Sequence, residues 1–251
     1  MTQSTPSGRI AMVTGSASGI GLAITELLRA RGHRVIGVDL RDAEVIADLA
    51  TDEGRTAMVE QVGQLAGDRL DVVIANAGVT HPDALCYQVN YRGAVATLAG
   101  LRPLLARSQA PRAVVTASFA AASGADLVKV AALESGHDPD QGGDFGGGYI
   151  VSKYAIAHWV RVNAPRPEWA GAGILLNAVC PGLIETPMQQ QAARQESVQQ
   201  LMRAIPIRRT AQPQEMAELF AFLASPANSY VTGQLIYADG GLDAMIRGTQ
   251  I

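Results

Sequence analysis

Thr14-Gly15-Ser16-Ala17-Ser18-Gly19-Ile20-Gly21 is the stretch that decides the fold. A short apolar run, Arg9–Thr14, leads into it and a helical pattern, Ile20–Arg31, leaves it, so it reads as a strand, a tight turn and a helix. Glycine at positions 15, 19 and 21 permits the turn and lets backbone N–H groups approach a pyrophosphate at the helix N-terminus. Gly15, Ser18, Gly19, Ile20 and Gly21 are therefore candidate contacts to a dinucleotide. The spacing is G-x-x-x-G-x-G, and a glycine-rich turn alone is a weak signal.

The next strand, Arg34–Asp39, strengthens it. Asp39 follows Gly21 by 18 residues, and an acidic residue about 20 positions on can accept hydrogen bonds from adenosine ribose hydroxyls. It would also repel a 2′-phosphate, which favours NAD over NADP. Neither Ser16–Ser18 nor Leu40 supplies the basic residue a 2′-phosphate would want, although Arg41 lies close by.

Beyond this unit, short apolar runs alternate with longer helical patterns, the signature of a parallel sheet with crossover helices. Further strands are expected at Asp71–Ala75, Ala113–Ser118, Ile174–Cys180 and Gln234–Tyr237, with a short piece at Val45–Ile46. Helices are expected at Asp52–Ala66, Pro82–Ser108, Tyr149–Val162 and Pro213–Ala224. Runs such as Val72-Val73-Ile74 suit strands buried on both faces. With no repeat and no shift in composition, the expectation is a single doubly wound α/β domain over residues 9–251, its sheet mostly or fully parallel with about seven strands. Met1–Gly8 reads as a disordered tail.

Composition narrows the function. The chain has 251 residues, 48% of them hydrophobic, and a domain of that size buries roughly 70–75% of its unfolded surface without a staple. Cys86 and Cys180 match no metal or disulfide spacing and read as buried, inert thiols of a reducing compartment. No His pair has metal-ligand spacing, so no metal site is expected. A net charge of −3 with scattered basic residues argues against nucleic acid. No apolar run approaches the ~20 residues of a membrane span, nor is there a secretory signal pattern. The expectation is a cytoplasmic protein with no membrane partner.

Of the 20 basic residues, 18 are Arg and only Lys129 and Lys153 are Lys. Lys153 lies four residues after Tyr149, which puts both side chains on one face of a helix. A free tyrosine has a pKa near 10. A neighbouring ammonium, together with the positive ring of an oxidised nicotinamide, would favour the phenolate and lower that value toward neutral pH. Y-x-x-x-K by itself is common by chance.

Taken in order, Thr14-Gly15-x-x-x-Gly19-x-Gly21, Asp39, Asn76-Ala77-Gly78, Asn90, Ser118, Tyr149-x-x-x-Lys153 and Pro181-Gly182-x-x-x-Thr186 resemble the short-chain dehydrogenase/reductase family from Arg9 to about Asp243. Val38–Leu49, the long stretch before Tyr149 and Asp239–Ala244 look most similar to its bacterial 3α-hydroxysteroid dehydrogenase/carbonyl reductase group. The resemblance implies a Rossmann domain, an NAD cofactor and hydride transfer between a secondary alcohol or ketone and the nicotinamide. The implied substrate is a bulky alicyclic such as a steroid or terpenoid.

It also implies roles. Tyr149 would be the general acid/base, Lys153 would bind the nicotinamide ribose, and Ser118 would hydrogen-bond the reacting oxygen. Asn90 would hold a water in a proton relay to Lys153. Asp48 and Leu49 would flank the adenine, Leu40 would lie beside Asp39, and Asn76, Ala77 and Gly78 would line the ribose side. Pro181, Gly182 and Ile184 would also contact the cofactor, and Thr186 would meet its carboxamide.

Ser118 and Tyr149 are 31 residues apart, where the family commonly has about a dozen. Ala120–Gly148 thus reads as an insertion, with a short helix at Leu127–Glu134 and a glycine-rich run at Gly142–Gly148, and leaves Ser123 as a rival to Ser118. The insertion lies next to helices that pair in many tetrameric family members, so a homo-oligomer is expected, a dimer rather than a tetramer. Leu183–Pro206 reads as a substrate lid on which Met188 and Met202 either meet substrate or pack internally; His81 reads as a surface loop residue. Asn163-Ala164-Pro165-Arg166-Pro167 ends the catalytic helix early. The rival functions are a ketoreductase of acyl or sugar substrates and a non-catalytic dinucleotide sensor, which would be expected to lose Ser118, Tyr149 or Lys153.

Overall fold

The structure, a computed structural model, describes residues 8–140, 147–192 and 196–249. Residues 1–7 of the expected tail, most of the glycine-rich run and three residues of the expected lid lie outside the described residues.

Seven parallel strands form one sheet in the order β3-β2-β1-β4-β5-β6-β7. They are β1 (Ile10–Thr14), β2 (Arg34–Asp39), β3 (Val45–Ile46), β4 (Val72–Ala75), β5 (Arg112–Thr116), β6 (Leu175–Pro181) and β7 (Leu235–Ala238). Each expected strand is present within one or two residues of its reading. The strand order turns back between β1 and β4, which pair directly with Met12 opposite Val73. Such a reversal opens a crevice beyond the carboxyl ends of the two strands.

Helices cover both faces. Alternate residues of a strand point to opposite sides, so Met12 joins the core under α2 (Asp52–Ala66), α4 (Ala94–Leu105) and α6 (Gly148–Asn163). Its neighbours Ala11 and Val13 join the core under α1 (Gly19–Ala30) and α9 (Pro213–Ala224). Fully burying a Leu, Ile or Met of these cores contributes roughly 1.5–3 kcal/mol. Among the described residues no helix is long and apolar enough to cross a membrane.

The structure corrects several readings. The helix expected over Pro82–Ser108 is a composite of α3 (Asp83–Cys86), a π-helical stretch (Tyr87–Gly93) and α4. All three keep one apolar face to the core, so the pattern along the sequence does not distinguish them. Ser118 was expected at the end of its strand, but β5 stops at Thr116, and Ser118 caps a short 3₁₀ turn, Phe119–Ser123. The segment after Ser123 contains α5 (Leu127–Glu134), as expected. The lid stretch holds two helices that the sequence reading missed, α7 (Pro187–Ala192) and α8 (Glu196–Ala204). A parallel bridge between Ile184 and Ala211 closes its base. A third missed helix, α10 (Leu242–Arg247), supplies Leu242 to a small separate core with Leu183 and Ile205.

Candidate active site

The cradle starts at Thr14, the last residue of β1. Its hydroxyl accepts hydrogen bonds from the backbone N–H groups of Asn76 (2.9 Å) and Ala77 (3.0 Å), stapling the ends of β1 and β4 together. Asn76 closes the arrangement: Nδ2 donates to the Thr14 carbonyl at 3.2 Å and Oδ1 accepts from Thr116 Oγ1 at 3.0 Å. Gly15 and Gly19 have φ of +69° and +54°, a left-handed backbone that suits glycine. Gly21 is required for contact instead: a Cβ there would lie 2.0 Å from the Gly15 carbonyl oxygen.

This cradle fits a dinucleotide pyrophosphate. The N-cap of α1, Ser18, makes no side-chain capping bond, and the first turn of α1 carries no acidic residue. Its leading N–H groups therefore remain available to an anion. Asp39, at the end of β2, accepts hydrogen bonds from Ala17 N at 2.9 Å and Leu40 N at 2.7 Å. Its carboxylate is thus fixed beside the turn. Leu40 is exposed, and Arg41 is an exposed residue 3.9 Å from Asp42.

A cleft of about 510 Å³ runs from this turn along the carboxyl ends of the strands. Gly15, Ser18, Gly19 and Ile20 line one end, with Asn76, Ala77 and Gly78 beside them. Ser118, Tyr149 and Lys153 line the middle, and Pro181, Gly182, Ile184 and Thr186 the side toward the lid. Gly21, Asp39, Leu40, Asp48, Leu49 and Asn90 fall outside this lining. Asp48 is exposed, with its carboxylate accepting from Ala50 N. Leu49, expected beside the adenine, is 6% exposed and belongs to the main core.

Ser118 and Tyr149 line the same stretch of the cleft as Lys153. Ser123, the rival serine, is exposed and lies off the cleft. Lys153 is 4% exposed, and its Nζ donates to the Thr116 carbonyl at 2.8 Å. Gly78 makes room for this: a Cβ there would sit 3.3 Å from Lys153 Nζ and 3.1 Å from Asn90 Oδ1.

Burial drives the ionisation here. It lowers the Lys153 ammonium to about 8. It also raises the Tyr149 phenol above its ordinary value, with the neighbouring Ser118 side chain acting the other way. In the chain on its own, burial is the largest influence on the phenol; the expected lowering by Lys153 is stated for a site that also holds an oxidised nicotinamide. Cys86 and Cys180 are buried free thiols, pushed up by burial to about 11 and about 12.

Asn90 lies in the π-helical stretch, and its side chain is used within the protein. Oδ1 accepts from Val79 N at 2.8 Å, while Nδ2 donates to the Val79 carbonyl at 2.9 Å and to Ser152 Oγ at 3.1 Å. That clamp uses both side-chain atoms of Asn90 within the protein. It ties the loop beyond β4 to α6, one residue before Lys153.

Thr14, quoted in the motif but given no role there, and Thr116 and Ser152, not singled out in the sequence, position the site through several hydrogen bonds each. Only a polar residue at an otherwise apolar strand end hinted at the first two. The reading of the residues also missed Val79, Phe119, Val198 and Leu201, which form an apolar wall. His81 is exposed yet borders the cleft; Met188 borders it too, and Met202 packs in the small core under the lid.

Comparison with known proteins points the same way. A family model described as Enoyl-(Acyl carrier protein) reductase matches residues 15–243. The chain is 39% identical over 260 residues to the 3-alpha-hydroxysteroid dehydrogenase/carbonyl reductase of Comamonas testosteroni, covering 96% of this chain and 99% of that one. It is 34% identical to the cis-4-hydroxycyclohexanecarboxylate dehydrogenase of Sinomonas cyclohexanicum, covering 94% and 97%. The crystal structure of the 3-alpha-hydroxysteroid dehydrogenase from Pseudomonas sp. B-0831 complexed with NADH matches with a TM-score of 0.88 at 38% identity, covering 96% of this chain and 100% of that one. Likeness of that extent along the whole domain identifies its lineage: the chain belongs to the short-chain dehydrogenase/reductase family.

Proposed function

We propose that the protein is an NAD-dependent dehydrogenase that interconverts a secondary alcohol and its ketone on a bulky alicyclic substrate such as a steroid or terpenoid. One observation carries the reading: Ser118, Tyr149 and, one turn on, Lys153 line the same cleft as the glycine-rich cradle.

A bound nicotinamide dinucleotide supplies the hydride donor or acceptor. The backbone of Gly15–Gly21 would hold its pyrophosphate, Asp39 the adenosine ribose hydroxyls, Asn76–Gly78 and Lys153 the other ribose, and Thr186 the carboxamide. Tyr149 passes its proton to the carbonyl oxygen in reduction and removes the hydroxyl proton in oxidation. Ser118 donates to the same oxygen and fixes the face presented for transfer. Asn90 acts as a positioning residue through Val79 and Ser152. The wall of Val79, Phe119, Val198 and Leu201 excludes water and suits an apolar ring. Two of the relatives, the 3-alpha-hydroxysteroid dehydrogenase and the cis-4-hydroxycyclohexanecarboxylate dehydrogenase, act by their names on an alcohol of a ring compound.

The lid would close over substrate, a homodimer would be the assembly, and the two unpaired buried cysteines suit the cytoplasm. A panel of cyclic secondary alcohols, followed by reduced-nicotinamide absorbance with NAD and NADP in parallel, tests the reading. Turnover of ring alcohols with a clear preference for NAD is expected. Equal use of both cofactors would remove the role given to Asp39. Lid closure predicts slower proteolysis of 183–206 with NAD present, and light scattering at the tetramer mass would contradict the dimer.

A further inference from the structure

A second, shallower groove lies behind the glycine-rich turn. Ser16 and Ala17 of the turn line it, with Arg29 from the last turn of α1 and Asp42 and Glu44 from the loop between β2 and β3. Ala17 also ties the groove to Asp39, whose Oδ2 accepts the Ala17 N–H at 2.9 Å. The groove therefore opens where Asp39 would hold the adenosine ribose.

Inside it the Glu44 carboxylate is held as an anion. Oε2 accepts from Gly37 N at 2.8 Å, and Oε1 pairs with the Arg29 guanidinium. Ser16 Oγ lies beside them: a Cβ at Gly37 would sit 2.6 Å from Ser16 Oγ and 2.8 Å from Glu44 Oε2. A backbone N–H, a guanidinium and a nearby hydroxyl are also the donors that recognise a phosphate. Both partners of the ion pair are about half exposed, so a ligand can reach them. Asp42, the other carboxylate on the groove, is exposed and lies 3.9 Å from Arg41.

We propose that Glu44 is a specificity-determining residue: its carboxylate fills an anion site beside the adenosine ribose and keeps Arg29 from a 2′-phosphate. A 2′-phosphate would meet a like charge at close range and a cation already paired, which disfavours it. NAD carries no group for this site and is indifferent to it. The proposal rests on the reading of the main cleft as a dinucleotide site, and it adds a second bar to NADP beside the charge of Asp39.

Glu44→Ala vacates the site, and Arg29→Met combined with Glu44→Ala removes its cation as well. Calorimetric titration compares adenosine 2′,5′-bisphosphate with adenosine 5′-monophosphate, and fluorescence titration compares NADPH with NADH. Glu44→Ala is expected to tighten both 2′-phosphorylated ligands about three- to tenfold, with the Kd of the other two unchanged. The double variant is expected to lose that gain. Glu44→Gln, which keeps the shape and the Gly37 bond, guards against local collapse and is expected to tighten the same two ligands by a smaller factor. No gain in either single variant, an equal gain for NADH, or a gain that persists without Arg29 overturns the proposal. Failure of the wild type to bind NADH brings down the underlying reading instead, and is seen before any variant is compared.

Discussion

Lys153 donates from Nζ to the backbone carbonyl of Thr116 at 2.8 Å, tying the residue one turn after Tyr149 to the last residue of β5. The cation is thereby held at the carboxyl edge of the sheet, between the strand that leads to Ser118 and the helix that carries Tyr149. Its position is set by the fold before any ligand binds.

Burial of this ammonium gives a signed dependence on pH. With its pKa lowered from 10.5 to about 8, the folded chain binds this proton less tightly than the unfolded chain. The penalty of burying the charge is complete below pH 8 and is relieved as pH rises from 8 toward 10.5. Lys153→Met should therefore compare best with the wild type in thermal stability at pH 7. Its Tm difference from the wild type should move against the variant as pH climbs above 8. A difference that is flat with pH in calorimetry would contradict the assigned burial.

Gly21→Ala should abolish NADH binding. The added methyl group would meet the Gly15 carbonyl oxygen at 2.0 Å and Asn76 Nδ2 at 2.6 Å, so either the turn or the end of β4 must move. A loss of at least about tenfold in NADH affinity is expected, with a fall of roughly 1–3 kcal/mol in stability. Fluorescence titration and denaturant unfolding measure the two effects.

Asn90→Ala takes the acceptor from the Val79 N–H and one donor each from the Val79 carbonyl and Ser152 Oγ, leaving Cys86 Sγ at 3.5 Å on that carbonyl. Leaving such groups buried and unpaired costs about 1–3 kcal/mol, read by denaturant unfolding. Because the clamp holds α6 beside Lys153, kcat should fall further than NADH affinity. An equal loss in both would make Asn90 a folding residue only.

Asp39→Ser removes the negative charge beside the turn. The ratio of kcat/KM for NADP to that for NAD should rise roughly tenfold or more, as measured by parallel steady-state assays. No change in the ratio would move cofactor choice elsewhere.

The main features of the fold and half of the chemistry could be read from the chain because they are local. A glycine-rich turn between a strand and a helix, apolar runs without alternation, and Tyr149 and Lys153 at helical spacing need no knowledge of distant contacts. What escaped is non-local. The π-helical stretch of Tyr87–Gly93 keeps the same apolar face as the flanking helices, so its periodicity does not betray it. The helices α7 and α8 are short and glutamine-rich, and α10 is held by Leu242 packing against Leu183 and Ile205. The burial of Leu49 depends on Gly93 of the π-helical stretch, where a Cβ would lie 3.1 Å from Leu49 Cβ. The raised pKa of Tyr149 was missed for the same reason, since burial is a property of the folded chain and not of the motif.

Tyr149→Phe tests the central claim most directly. The substitution removes only the phenolic oxygen, the atom argued to exchange a proton with substrate, and leaves the ring in place. The account predicts a loss in kcat of at least about a hundredfold for a ring alcohol with NAD, at an unchanged NADH Kd. Retention of full activity would contradict the mechanism.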